Sequence, residues 1–157
     1  YERTGELEKA EEIFEECIQN HPESHRVLNY LAYTWAEADM KLDRALEYVN
    51  RALKLVPDSA PYRDTLGWIH FKQGRFEDSL TELEKASKLM GPDAEILDHL
   101  GEVHNALGNK AVATSYWRES YALDPKNEAV SSKLKKLGIN PDAVQLDSVI
   151  DGPREQD

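Results

Sequence analysis

Large apolar and small residues fall along this chain in short amphipathic stretches, and the pattern repeats. Leu66-Gly67 returns 34 residues later as Leu100-Gly101, His70 as His104, Gly74 as Gly108, and Ala86 as Ser120. The same frame recurs further back in Leu31-Ala32, Ala45, Ala52 and Pro57, with Pro57 two periods before Pro125. Such a period predicts a helix-turn-helix solenoid, an all-α fold of antiparallel helix pairs. Gly5, Gly74 and Gly108 are expected at the turns, where positive φ ends a helix. Pro22, Pro57 and Pro125 follow the second helix of each unit and stop it. Ala32, Gly67 and Gly101 fall on first helices, and Ala10, Ala45 and Ala113 on second helices. Small side chains there let the helix axes approach, while Leu31, Leu66, Leu83, Leu100 and Trp117 fill the layer between.

The residues can be set against a known pattern, W-x2-L-G-x2-Y, then A-x3-F, then P. One unit reads Thr65-Leu66-Gly67-Trp68-Ile69-His70, Gly74, Ser79, Leu83, Ala86. The next reads Leu100-Gly101, His104, Gly108, Ala113, Trp117, Ser120, Pro125, and an earlier one Leu31-Ala32, Trp35, Ala45, Val49, Ala52, Pro57. Over 1–137 the chain thus resembles the tetratricopeptide repeat (TPR) family, which implies a right-handed superhelical solenoid. The divisions are a half repeat at 1–24 (second helix only), repeats at 25–59, 60–93 and 94–127, a capping helix at 128–137 and an acidic, flexible tail at 138–157. The repeat at 25–59 carries one extra residue. The frame is intact up to Trp35 and from Ala45 onward, so the insertion belongs in the turn between Ala38 and Leu42, because loops absorb length changes that helix packing does not.

The two ends differ. Tyr1 enters mid-repeat, so the first helix of that unit is expected upstream, leaving Leu7, Ile13, Phe14 and Ile18 of a helix over Glu6–Gln19 short of a partner. At the far end Leu134 takes the Leu position, but Lys135 stands where Gly or Ala belongs. With Lys126, Lys133 and Lys136 it gives the cap a polar outer face, and Gly138 is expected to stop the helix. A turn of helix over Asp142–Leu146 could dock on the cap.

Composition narrows the field. Forty per cent of the 157 residues are hydrophobic with no long apolar run, so no membrane span is expected. A formal charge of −11 argues against nucleic acid, which needs a Lys/Arg stripe. Cys17, the single cysteine, excludes an internal disulfide. It takes the small-residue slot of Ala52 and Ala86, where a buried thiol is expected.

Catalytic and metal chemistry find little support. His70 and His104 replace the pattern's Tyr and read as packing residues. His99 beside Asp98 and near Glu102 lacks any metal-ligand spacing. His21 and His25 flank an interrepeat turn. No phosphate-binding glycine loop is present, so no enzyme, cofactor or metal site is expected. Carrying over the family's groove positions gives Arg26, Asn29 and Tyr33, then Asp64, Trp68 and Phe71, then Glu95, Asp98, Glu102 and Asn105. Their three- and four-residue spacing makes one stripe per first helix, aromatic in the middle and acidic toward the C-terminal end. The resemblance therefore implies a scaffold or adaptor whose concave groove holds a segment of another protein, with apolar anchors and Lys or Arg. Chaperone-type capture of a C-terminal carboxylate is rejected, because Asn29, Tyr33, Asp64, Trp68, Glu95 and His99 would set anion against anion. The alternatives are a self-assembling, homo-oligomeric module or an accessory domain of a larger enzyme. The wording of the repeats is similar to that of bacterial envelope TPR lipoproteins, which implies a periplasmic or outer-membrane setting over the cytoplasm.

Overall fold

The computed structural model describes residues 2–143, which are all-α. The helices are α1 (Glu2–Asn20), α2 (His25–Glu37), α3 (Leu42–Leu55), α4 (Ala60–Lys72), α5 (Phe76–Met90), α6 (Ala94–Ala106), α7 (Lys110–Leu123) and α8 (Glu128–Lys136). Two compact units are present. Tyr1–Gly91 holds α1 and the antiparallel pairs α2/α3 and α4/α5; Pro92–Asp157 holds the pair α6/α7 and the cap α8.

Turn chemistry sets the length of each pair. In α4/α5 the Arg75 N–H donates to the His70 carbonyl at 2.8 Å across Gly74, whose φ is +76°. In α6/α7 the Asn109 N–H donates to the His104 carbonyl at 2.8 Å across Gly108 at φ +84°. The α2/α3 turn copies this cap with Asp39 in the glycine's place, at φ +53°, and the Met40 N–H on the Trp35 carbonyl at 2.9 Å. One further residue follows before α3, and Lys41 there is also left-handed at φ +48°. The inserted residue thus lies in the expected turn, at the cost of two non-glycine residues in a region glycine prefers.

Gly5 is a correction. It lies inside α1, which starts at Glu2 and not at Glu6. Glycine permits a left-handed turn without compelling one, and the neighbouring Glu, Arg and Leu are good helix formers.

Inside the pairs, the small residues do what their spacing implies. A Cβ on Gly67 would lie 2.8 Å from Leu83, and one on Gly101 would lie 2.4 Å from the Trp117 indole. The close approach also satisfies buried hydroxyls: Ser79 donates to the Gly67 carbonyl and Ser120 to the Ala94 carbonyl, each at 2.7 Å. In the first unit Leu28, Leu31, Trp35, Val49 and Ile69 form one buried cluster. In the second, Val130 and Leu134 of α8 close over Trp117 and Tyr121.

Start signals are equally local. Asp93 and Asn127 side chains accept N–H groups of the first turns of α6 and α8, satisfying donors that the helix leaves open. Gly138, at φ +76°, ends α8, with the Ile139 N–H on the Leu134 carbonyl at 3.0 Å. Residues 141–143 are helical, Pro141 is buried, and Tyr121 donates to Asp142 at 2.8 Å. The start of the expected flexible tail is therefore docked in the second unit. Residues 144–157, and Tyr1, lie outside the described residues.

Candidate interaction surface

In the first unit the groove stripe runs along α2 and α4, which are joined near their N-terminal ends by a 2.6 Å hydrogen bond between His25 Nδ1 and the Tyr62 hydroxyl. Arg26 is exposed, while Asn29, Tyr33 and Phe71 are half-buried. The Asn29 Oδ1 is buried without a hydrogen-bond partner, an arrangement that costs about 1–3 kcal/mol.

The other two members of this stripe differ from the expectation. Asp64 is only 6% exposed and Trp68 only 8%. Trp68 stacks on Phe71 with ring centroids 4.7 Å apart, and the Lys72 ammonium lies 5.2 Å from its ring. Trp68 is a core residue that supports Phe71, not an anchor offered to a ligand. Neighbouring helices cover this part of α4, and a helical wheel cannot count neighbours.

On α6, Glu95 and Asn105 are exposed, and Asp98 and Glu102 are half-buried. The acidic pair is already engaged. Lys133 of α8 places its ammonium 2.7 Å from Asp98 Oδ1 and 2.7 Å from Glu102 Oε1. The Trp117 Nε1 donates to Asp98 Oδ1 at 3.0 Å. Burial opposes the charge on Lys133, but hydrogen bonds and Coulomb attraction from Asp98 and Glu102 outweigh it and hold the ammonium above the usual lysine range. Lys133 therefore turns inward instead of joining the cap's polar outer face, and it removes much of the acidic stripe's capacity to select a partner's cations.

The histidines at the pattern's Tyr position behave as packing groups. His70 is buried, and burial, with Arg75 second, pushes its pKa below the ordinary value. His104 stacks on Tyr116 with centroids 5.5 Å apart.

Sequence reading missed an ionic clamp on α1. Lys41 pairs with Glu11 and Arg44 with Glu15, while the Tyr48 hydroxyl donates to Glu15 at 2.7 Å. Both cations also lie over Trp35, at 5.6 and 5.1 Å from its ring. The inserted turn supplies Lys41 to this clamp. Cys17 is a further correction: it is half-buried rather than buried, because its slot on α1 is not covered as those of Ala52 and Ala86 are.

Comparison with known proteins gives one family. The tetratricopeptide repeat profile matches residues 1–60 and 65–128. A TPR repeat-containing protein of Pseudomonas aeruginosa is 34% identical over 101 residues, covering 64% of this chain and 17% of that protein. A second, from Methanocaldococcus jannaschii, is 29% identical over 119 residues, 76% of this chain and 21% of the relative. The chain thus spans about a fifth of the length of these curated relatives. Among solved structures, MamA aligns with a TM-score of 0.65 at 18% identity, covering 92% of this chain and 86% of that one. No helix among the described residues is long and apolar enough to cross a membrane.

Proposed function

The chain belongs to the tetratricopeptide repeat family, and on that premise we propose that it is a binding module, not a catalyst, that holds an extended segment of a partner protein against α2 and α4. Proteins of this family generally mediate protein–protein interaction and scaffolding. The observation that carries the reading is the partial exposure of two aromatic side chains, Tyr33 on α2 and Phe71 on α4, on a groove stripe that also carries the exposed Arg26. They offer apolar contact to an incoming segment, since aromatic surfaces give large area at small entropic cost. Selection for Lys or Arg is weaker in this reading than the sequence implied, because Asp64 is buried and Asp98 and Glu102 are held by Lys133.

Site-specific photo-cross-linking tests this. A photoreactive residue placed at Tyr33 should capture a protein in the source cells, while the same residue at the exposed Lys54 on α3 should not. Adducts at Lys54 and none at Tyr33 would move the site to the outer face. A folded Phe71→Ala variant should weaken the captured interaction by about 1–2 kcal/mol.

A further inference from the structure

The free charges on the α2 and α4 stripe run against the sign of the whole chain, whose formal charge is −11. Arg26, at the start of α2, is exposed. Burial raises the pKa of the Tyr62 hydroxyl on α4 and the Arg26 charge opposes that rise, so the guanidinium lies toward the neighbouring helix. Lys72, at the end of α4, is half-buried, with its ammonium 5.2 Å from the Trp68 ring. Neither cation forms an ion pair among the described residues. Asp64, on the same stripe, is buried, and the exposed Glu37 stands on α2 at the register that Lys72 holds on α4. Beside Lys72 runs a shelf of rings: Trp68 on Phe71, and Phe71 on Phe76 of α5, with centroids 4.7 and 5.6 Å apart.

Register gives the span between the cations. Tyr33 aligns with Trp68, so Arg26 aligns with Pro61, and Lys72 is eleven residues beyond Pro61. At about 1.5 Å per residue this is about 16 Å along the axes. With about 9 Å between neighbouring helices, the two backbone positions stand about 19 Å apart. An extended chain covers that distance in about six residues. On the reading that α2 and α4 hold an extended segment, we infer that this segment is acidic. An apolar residue lies against Tyr33 and Phe71, a carboxylate two residues beyond it meets Lys72, and a carboxylate four residues before it meets Arg26. All three side chains then leave the same side of the extended chain. The charges act chiefly on encounter and on choice of partner. That choice is the reverse of the Lys/Arg-bearing segment expected from the sequence.

The test uses a seven-residue peptide of Ser and Gly with Leu fifth and Glu first and seventh, and its counterpart with Lys for both Glu. Each is titrated against the chain carrying a photoreactive aromatic residue at Tyr33, and adducts are counted by mass. The Glu peptide should half-saturate capture at an about fivefold lower concentration than the Lys peptide, and the ratio should shrink in high salt. Arg26→Gln, at an exposed site, and Lys72→Gln should each remove much of the preference, while Glu37→Gln should widen it about twofold. Moving the first Glu next to Leu should make capture insensitive to Arg26→Gln. Equal or better capture of the Lys peptide, or a preference that survives Arg26→Gln and Lys72→Gln together, overturns the inference and leaves the groove reading standing. Cellular adducts at Tyr33 with neither peptide captured do the same. Absence of both kinds of adduct removes the groove and the inference together.

Discussion

Replacing Gly101 by Ala should destabilise the second unit, although alanine is the better helix former. The added Cβ would stand 2.4 Å from Trp117 Nε1 and 2.6 Å from Cδ1. An ordinary contact is about 3.5 Å, so the indole must withdraw by about 1 Å. It has little room, since it is 3% exposed and packed against α8. Withdrawal also breaks its bond to Asp98, which carries Lys133 on the same oxygen. Overpacking costs about 1–3 kcal/mol, and losing a hydrogen bond to a charged group about 1.5–3 kcal/mol. The gain in helix propensity returns about 1 kcal/mol. The net expectation is a loss of about 3 kcal/mol, read as a lower urea midpoint by circular dichroism and tryptophan fluorescence. A double-mutant cycle sharpens the test, because α2/α3 shows the alternative solution, Ala32 opposite the smaller Val49. In a Trp117→Val background Gly101→Ala should become neutral or stabilising by up to about 1 kcal/mol. If Gly101→Ala stabilises the unaltered chain, the close approach of α6 and α7 is wrong.

Other outcomes follow from single features. Asp39→Gly relieves a left-handed residue at φ +53° and should raise stability by about 0.5–1 kcal/mol; a loss would show that the Asp39 side chain holds the turn. Lys133→Met leaves Asp98 and Glu102 without their cation and should cost about 1–3 kcal/mol, less in high salt, whereas an unchanged urea midpoint would mean the contact is solvated. His70 has its pKa lowered on folding, so the native chain favours the neutral ring and the unfolded chain binds the proton more readily. Its contribution is therefore complete above a pH of about 6.5 and is lost as pH falls through that value toward the folded-state pKa. Urea midpoints across this range should fall less steeply with acid in His70→Phe than in the original chain, and identical slopes would reject burial of the neutral ring.

The helix pairs were legible because each buries its faces locally. Gly67 meets Leu83, and Gly101 meets Trp117, at distances along the chain that a single period records. The inserted residue was legible for the same reason, since the frame on either side pins it to one turn. Exposure on the groove stripe was not legible, because Trp68 and Phe71 share a helix face and differ only in what covers them. Yet one signal in the register was there to be read. The position just before each unit's Leu holds Tyr30, Thr65, His99 and Lys133 in turn. Tyr30 reaches back to Phe14 and Lys133 to Asp98 and Glu102, whereas the Thr65 hydroxyl donates to the Pro61 carbonyl of its own helix at 3.1 Å. Thr65, inside the array, is only 2% exposed. A lysine in that slot is therefore an inward-facing cation that needs acidic partners one first helix earlier, which α6 supplies. Tyr30 in the same slot meets the Phe14 ring of α1, and its own ring is 54% exposed. The ion pair formed by Lys133 in the second unit and the aromatic contact formed by Tyr30 in the first are thus two readings of one repeat position.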